Sequence, residues 1–403
     1  MEALTRAGQP GVPGQGTAER EAVPVPGTPA EPPPTQPSDV TGAPRSGSNI
    51  FNPNISAVFQ LIGATSLGQE TDEEGFSLTE GEVALQAVVD PYARMDMFLS
   101  FTAEGEAAIE EGTVTTTSLP AGLQLKGGRF KSDLGKWNRL HPHQFFTVDR
   151  PDVLVANFGD ESLTSDGLSM SWLVPGTASV FLESTTEVGN PVNDISFNSE
   201  GNDPILLEHL ASVFTLTSNA TLGVGGTAIF GNTGPTEGLL QAIEEADLVG
   251  IVVPRDNLDE QMYGVDMTFK WKPLQRNVHR SALLQAEAIF SRREVDVLEG
   301  TELVEATSDT WGGYAYGEYQ FARRWRGGIR WDWTEFPGVE GAIQRAVSGV
   351  LRIIPTEFQE FRVQYTFTGH NTDAAALFDD QDDEHQIFFE WIPAIGAHGA
   401  HPY

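Results

Sequence analysis

The sequence predicts an all-β chain that closes into an antiparallel transmembrane β-barrel of about sixteen strands. Three observations predict it. Apolar and polar residues alternate with a period of two from Ile50 onward. Successive strands are joined alternately by long polar segments and by short turns. No stretch approaches the roughly 18 consecutive apolar residues of a membrane helix, in a chain that is only 39% hydrophobic.

The alternation is clearest in Val265-Asp266-Met267-Thr268-Phe269-Lys270-Trp271-Lys272, where the apolar residues share one face and the polar ones the other. Phe361-Arg362-Val363-Gln364-Tyr365-Thr366-Phe367 and Gly327-Gly328-Ile329-Arg330-Trp331-Asp332-Trp333 repeat it. On this pattern strands are expected near 53–64, 76–89, 94–102, 107–118, 121–131, 168–174, 179–186 and 209–218. Eight more follow near 221–231, 262–272, 279–292, 309–321, 324–335, 343–353, 358–369 and 385–392. Many reach the roughly 9–11 residues with which a tilted strand crosses a bilayer.

The connections fix the orientation of the strands. Even strands end in short turns such as Asp90-Pro91-Tyr92-Ala93, Pro120-Ala121-Gly122, Pro175-Gly176-Thr177, Arg323-Arg324 and Pro355-Thr356. Odd strands mostly end in long polar loops, near 65–75, 132–167, 187–208, 232–261, 293–308 and 370–384. Tight turns on one rim and long loops on the other are the pattern of outer-membrane barrels, with turns in the periplasm and loops outside the cell. An even strand number then places the N- and C-termini in the periplasm, and the cell outer membrane is the expected location. A soluble sandwich also alternates, but nothing in its physics enforces this long–short rhythm.

With 57 acidic and 24 basic side chains the formal net charge is −33. That balance argues against a nucleic-acid partner, which would need cations for its phosphates. The absence of cysteine removes disulfides, thiolate metal sites and thiol nucleophiles. No G-x-S-x-G, H-E-x-x-H, phosphate loop or dinucleotide fingerprint occurs, so neither an enzyme nor a bound cofactor is expected. Residues 1–49 form a Pro/Gly-rich segment with ten prolines before residue 49, read as a disordered N-terminal tail. It contains no apolar signal region, so the true start is expected upstream or the leader already removed. The barrel itself takes up residues 50–403.

If the apolar set faces lipid, the opposite set lines a lumen. That set comprises Arg94, Asp96, Lys126, Asp266, Lys270, Glu287, Glu318, Arg326, Arg330, Asp332, Arg352, Glu360, Arg362 and Glu390. So many charges of both signs imply a water-filled interior, which is also what about sixteen strands allow. Tyr92, Trp271, Trp311, Trp325, Trp333, Tyr365 and Trp391 lie near strand ends, as interfacial girdles require. The long loop 132–167 and the strand end before it carry Lys131, Lys136, Arg139, His141, His143 and Arg150, an unusually basic run here. Folded inward, this loop would form the constriction and set selectivity through those charges; packed on the surface, it would act as a lid.

His141-Pro142-His143 and His398-Gly399-Ala400-His401 each resemble small metal-binding clusters. Neither pair has an acidic or thiol companion at fixed spacing, so solvent-exposed histidines are the default. Acidic runs such as Asp379-Asp380-Gln381-Asp382-Asp383-Glu384 lie in the long loops, where solvation, cation attraction and bridging to anionic lipid headgroups are all open.

Phe51-Asn52-Pro53-Asn54-Ile55-Ser56, Val89-Asp90-Pro91-Tyr92-Ala93, Leu119-Pro120-Ala121-Gly122, Gly135-to-His143, Val148-Asp149-Arg150-Pro151 and Gly399-to-Tyr403 together resemble a bacterial family. It is often labelled "zinc-regulated TonB-dependent outer membrane receptor" and is similar in layout to phosphate-selective porins. The chain has no room for the about twenty-two strands and plug of a true receptor. The resemblance therefore implies a porin-type barrel, with zinc acting on expression.

The expected function is passive or weakly selective passage of small polar or charged solutes, with a modest cation preference taken from the acidic loops. The competing reading is a surface-exposed binding, adhesion or receptor barrel with an occluded lumen. Outer-membrane lipids, lipopolysaccharide, small polar solutes or ions, and the barrel-assembly machinery are the expected partners. Porin-like barrels are often trimers, so a homotrimer is the natural assembly, but no interface is legible. The final strand is expected to stop near Ile392-Pro393.

Overall fold

The computed structural model describes residues 53–67, 75–103, 105–176, 180–193, 195–199, 203–234, 256–275, 278–299, 302–337, 341–371 and 383–396. The N-terminal tail and the His398/His401 pair lie outside the described residues. Sixteen strands follow one another along the chain. The first eight are β1 (Asn54–Ser66), β2 (Gly75–Asp90), β3 (Ala93–Phe101), β4 (Ala107–Thr116), β5 (Leu123–Lys131), β6 (Thr164–Val174), β7 (Val180–Val192) and β8 (Ile205–Thr217). The rest are β9 (Ala220–Thr233), β10 (Leu258–Trp271), β11 (Ser281–Glu299), β12 (Glu302–Ala322), β13 (Trp325–Glu335), β14 (Ile343–Thr356), β15 (Gln359–His370) and β16 (Glu384–Gly396). Among the described residues a single short α-helix, α1 (Asp152–Phe158), sits between β5 and β6.

Each strand pairs antiparallel with its sequence neighbours, and β1 pairs with β16, so the sheet is a closed barrel. Leu61 lies opposite Trp391 and Ser56 opposite Gly396 at that seam. Closure gives every strand a partner on both sides, which is what a sheet in hydrocarbon must have.

The two faces separate as the alternation demands. Along β10, Val265 and Met267 are exposed outward while Asp266 and Thr268 are buried inward. The same holds for Ile329 and Trp331 against Arg330 and Asp332 on β13. The outward band of large apolar side chains is a surface that only hydrocarbon covers without penalty. Near the long-loop rim, outward aromatic rings form a girdle from Phe230 to Tyr263, Phe290 and Trp311, with centroids 5.9, 6.3 and 4.6 Å apart. Toward the other rim, Phe361 stacks on Trp391 at 6.1 Å, and Tyr92 and Trp325 are exposed.

Several strands run longer than the sequence expectation, β7 to Val192 among them, and two cases show why. The loop expected at 293–308 is mostly strand, because β11 and β12 run on together to the pair Glu299–Glu302. Its polar residues suggested a loop, yet the flanking Arg292 and Asp309 sit directly opposite each other with contacts of 2.8 and 2.6 Å, and the pairing continues beyond them. Opposite charges across an antiparallel pair support strand rather than break it. The last strand also passes through Pro393 to Gly396 and resumes its register with β1 at Val58–Ala394. Pro393 sits where that ladder is interrupted, so its missing N–H leaves no bond unmade.

A charge introduced at Val265, in mid-strand on the outward face, should destabilise the barrel by about 2–4 kcal/mol. Gln124→Arg, on the inward face and solvent-exposed, should change stability by about 0.5 kcal/mol or less. Urea unfolding in lipid bilayers measures both, and equal losses at the two positions would contradict the assignment of faces.

Candidate pore and its inward loop

Residues 132–163 connect β5 to β6, and their composition decides where they go. Leu134, Trp137, Leu140, Phe145, Phe146, Val153, Leu154, Phe158 and Leu163 are too apolar to remain in water. They are buried against Leu207, Ile229, Met262, Ile289, Tyr314, Tyr316 and Val350, residues of β8, β9, β10, β11, β12 and β14. A hydrophobic core therefore lies inside the barrel. Trp137 is its centre, with rings of Phe145, Phe146 and Tyr314 at 5.1, 5.6 and 5.8 Å.

The loop is also held by hydrogen bonds to the inner wall. Gly135 adopts φ +55, and a Cβ there would approach Glu287 Oε2 to 2.5 Å. Only glycine allows this close turn, which lets the N–H groups of Lys136 and Trp137 donate to Glu287 Oε1. Trp137 Nε1 donates to Gln285 at 3.0 Å, and Val148 N donates to Gln364 at 2.7 Å.

The inward charges form a connected ladder. Arg352 meets Glu318 at 2.8 Å and Glu360 at 2.7 Å; Arg362 meets Glu360 at 2.8 Å and Glu390 at 2.9 Å. Arg326 extends the ladder to β13 through Glu318, and Gln60 extends it to β1 through Glu390. Arg362 also donates to His143 O at 2.9 Å. Arg330 binds Asp332 at 2.6 Å and Asp149 of the loop at 3.0 Å. On β10 and β11, Glu260 and Arg293 pair at 2.7 Å, and Phe197 N from the β7–β8 loop donates to Glu260.

Much of the inner face is therefore paired and covered, where the composition alone suggested charges lining open water. Arg330, Asp332, Arg352, Arg362 and Glu390 are fully buried. They are tolerated because each faces an opposite charge and further hydrogen bonds. Asp266 pairs with Lys136 at 3.1 Å, and Lys126 lies 4.3 Å from the Phe130 ring. Arg94 pairs with Asp96 at 2.8 Å, while Lys270 stands half-buried further along the inner face of β10.

Four ion pairs share an asymmetry. Arg94, Arg139, Arg326 and Lys136 have side chains 44%, 44%, 24% and 22% exposed, against 9%, 9%, 5% and 1% for Asp96, Asp133, Glu318 and Asp266. In each pair the acid is covered and the cation faces open space. Lys131 turns the other way, donating to Leu140 O at 3.1 Å from a buried position. Arg150 closes the loop on itself by donating to Gly159 O at 3.0 Å and to Glu161 O, and burial lowers its pKa to about 10.

His141 and His143 are buried, not solvent-exposed as expected. His141 Nδ1 lies 2.8 Å from both Glu82 and Glu110, and its Nε2 lies 2.8 Å from Glu111. Burial and Lys131 both oppose charge on His141, but the hydrogen-bonded carboxylates of Glu110 and Glu111, with that of Glu82 beside them, outweigh both and hold its pKa well above the ordinary imidazole value. The three glutamates are missing from the sequence-derived site. Strict alternation sends neighbours to opposite faces, so Glu110 and Glu111 cannot both point inward in a regular strand. A bulge in β4 makes it possible: Glu111 pairs with Phe98 and Ile109 with Leu99, leaving Glu110 as the extra residue.

Comparison with solved structures fits this geometry. The anion-selective porin of Comamonas acidovorans superposes with a TM-score of 0.55 at 6% identity, covering 85% of this chain and 99% of its own. The chain has the fold of an outer-membrane porin. The channel DcaP of Acinetobacter baumannii gives 0.53 at 10% identity, over 85% and 97% of the two chains. A loop L8 deletion mutant of OmpT from Vibrio cholerae gives 0.52 at 10%, over 85% and 99%. In sequence, an uncharacterized protein of Aquifex aeolicus (strain VF5) is 27% identical over 379 residues, 90% of this porin-fold chain and 77% of that protein. No family model matches. The receptor label attached to the sequence resemblance finds no support in these comparisons, whereas its porin layout agrees with the fold.

Replacing Arg362 with methionine should leave Glu360 and Glu390 without their guanidinium and lower unfolding stability by about 3–5 kcal/mol. Combining it with Glu390→Gln should cost less than the sum of the single changes, because the two side chains share one interaction. Urea unfolding midpoints of the four proteins measure this.

Proposed function

We propose that this protein is a diffusion channel of the outer membrane, narrowed by its inward loop and weakly selective for small anions. The observation that carries the selectivity is the asymmetry of the ion pairs, in which Arg94, Arg139, Arg326 and Lys136 present their charge while their acidic partners are covered. Selectivity in a pore is set where the passing ion is close to fixed charge. Lys270 near the end of β10 and Lys272 just beyond it add cations toward the short-turn rim. The cation preference expected from the acidic loops rested on net charge, which acts at the mouth and is screened within about 8–10 Å at physiological salt.

In this reading the short turns and both chain ends face the periplasm, and the long acidic loops face outward toward lipopolysaccharide. The apolar band contacts outer-membrane lipids, the barrel-assembly machinery inserts the chain, and a homotrimer is the expected assembly. The competing reading, a binding barrel with an occluded lumen, draws on the hydrophobic core around Trp137 inside the barrel.

Planar-bilayer recording decides between them. Stable conductance steps are expected, with a reversal potential of anion-preferring sign in a potassium chloride gradient. Arg94→Glu with Arg139→Glu should move that potential toward cation preference. Absence of steps would favour the binding barrel, and a cation-preferring parent would overturn the assigned selectivity.

A further inference from the structure

We propose that Glu82, Glu110 and His141 form a binding site for one divalent transition-metal cation, zinc being the best chemical match, which staples the inward loop to the barrel wall. A carboxylate oxygen of Glu82, one of Glu110 and a ring nitrogen of His141 lie within 4.8 Å of one another. They come from three separate places: β2, the bulge of β4 and the loop. One nitrogen and two carboxylate oxygens are the donor set of a three-ligand zinc site with an open position.

Hydrogen bonding alone does not account for this arrangement. His141 Nδ1 is 2.8 Å from Glu82 Oε2 and 2.8 Å from Glu110 Oε2, and one N–H cannot serve both. The bond goes to Glu110. Glu82 Oε2 points into the cluster from a side chain that is 95% buried, and it has no hydrogen-bond partner. A buried carboxylate oxygen that competes with a neighbour for one donor gains from a cation that both carboxylates can reach.

The surroundings fit a metal. His141 Nε2 is 2.8 Å from Glu111 Oε1, so the imidazole is already oriented by a carboxylate on its far nitrogen. That is how ligating histidines are ordinarily held. Within the same region Glu82, Glu110 and Glu111 gather round His141, and the ammonium of Lys131 lies 3.5 Å from Glu110. A divalent ion offsets the excess negative charge. His143 Nδ1 lies 3.7 Å from Glu82 Oε2 and its ring stacks on that of His141, which places a second imidazole beside the cluster.

The test uses the full chain folded in detergent, stripped with chelator, exposed to a small excess of zinc chloride and separated from free metal. Elemental analysis should then find one zinc per chain. His141→Ala and Glu82→Gln should abolish it, and Glu208→Gln, a carboxylate elsewhere on the wall, should keep it. Glu111→Gln should weaken binding by about 10–100-fold. Zinc content below one-tenth per chain, or stoichiometric zinc that survives both ligand variants, overturns the site; the second outcome marks adventitious binding to the acidic loops. Folding of each variant is checked by heat-modifiable migration. If the variants fail to fold, X-ray absorption on the zinc-loaded parent decides, with one imidazole and oxygen donors supporting the site and an all-oxygen shell overturning it. Neither measurement reads conductance, so failure here leaves the channel reading intact, and the reverse holds.

Discussion

Everything in this structure depends on the pairing of β1 with β16. A sheet left open in hydrocarbon would expose a row of unsatisfied N–H and C=O groups, each costing several kcal/mol. Closing the seam removes that penalty, and the closed wall then separates two environments. Alternate residues must therefore meet different demands, apolar outside and variable inside. The exposed Val265 and the buried Asp266 are two consequences of one ring of hydrogen bonds.

The interior solves a different problem from the one its composition suggests. Fourteen charged positions on the inner face read as groups awaiting water. Instead, β11 to β16 are lined by guanidinium–carboxylate contacts and covered by a loop that brings its own apolar core. Covering charges raises their mutual attraction and their desolvation cost together, so the ladder is stable only while complete. Arg362 shows the economy of this arrangement, since it touches two glutamates of the wall and the backbone of His143 in the loop. The same side chain neutralises the wall and positions the loop.

Much of the wall was legible in the residues. All sixteen strands fall near their expected positions, because period two and the long–short rhythm are local signals. The misjudged elements are those in which a local signal was outvoted by a partner. Residues 293–308 read as loop until they are seen paired with each other, from Arg293 opposite Ser308 to Glu299 opposite Glu302, and Pro393 reads as a stop until the ladder is seen to skip it. The candidate site was legible only in half. The basic residues of the loop stood out by contrast with an acidic chain, whereas Glu82, Glu110 and Glu111 did not, because acidic residues are common here and a bulge leaves no mark in composition.

By itself, then, the sequence determined the closed wall, the strand count, the two faces and the rim that carries the long loops. These follow from periodicity and from the rule that backbone polar groups must pair. Only the tertiary structure decided that the β5–β6 loop lies inside, which charges are covered and which stay open, and that His141 meets three glutamates. Those outcomes depend on which residues distant along the chain become neighbours across the lumen, and spacing along one strand carries no record of what stands opposite.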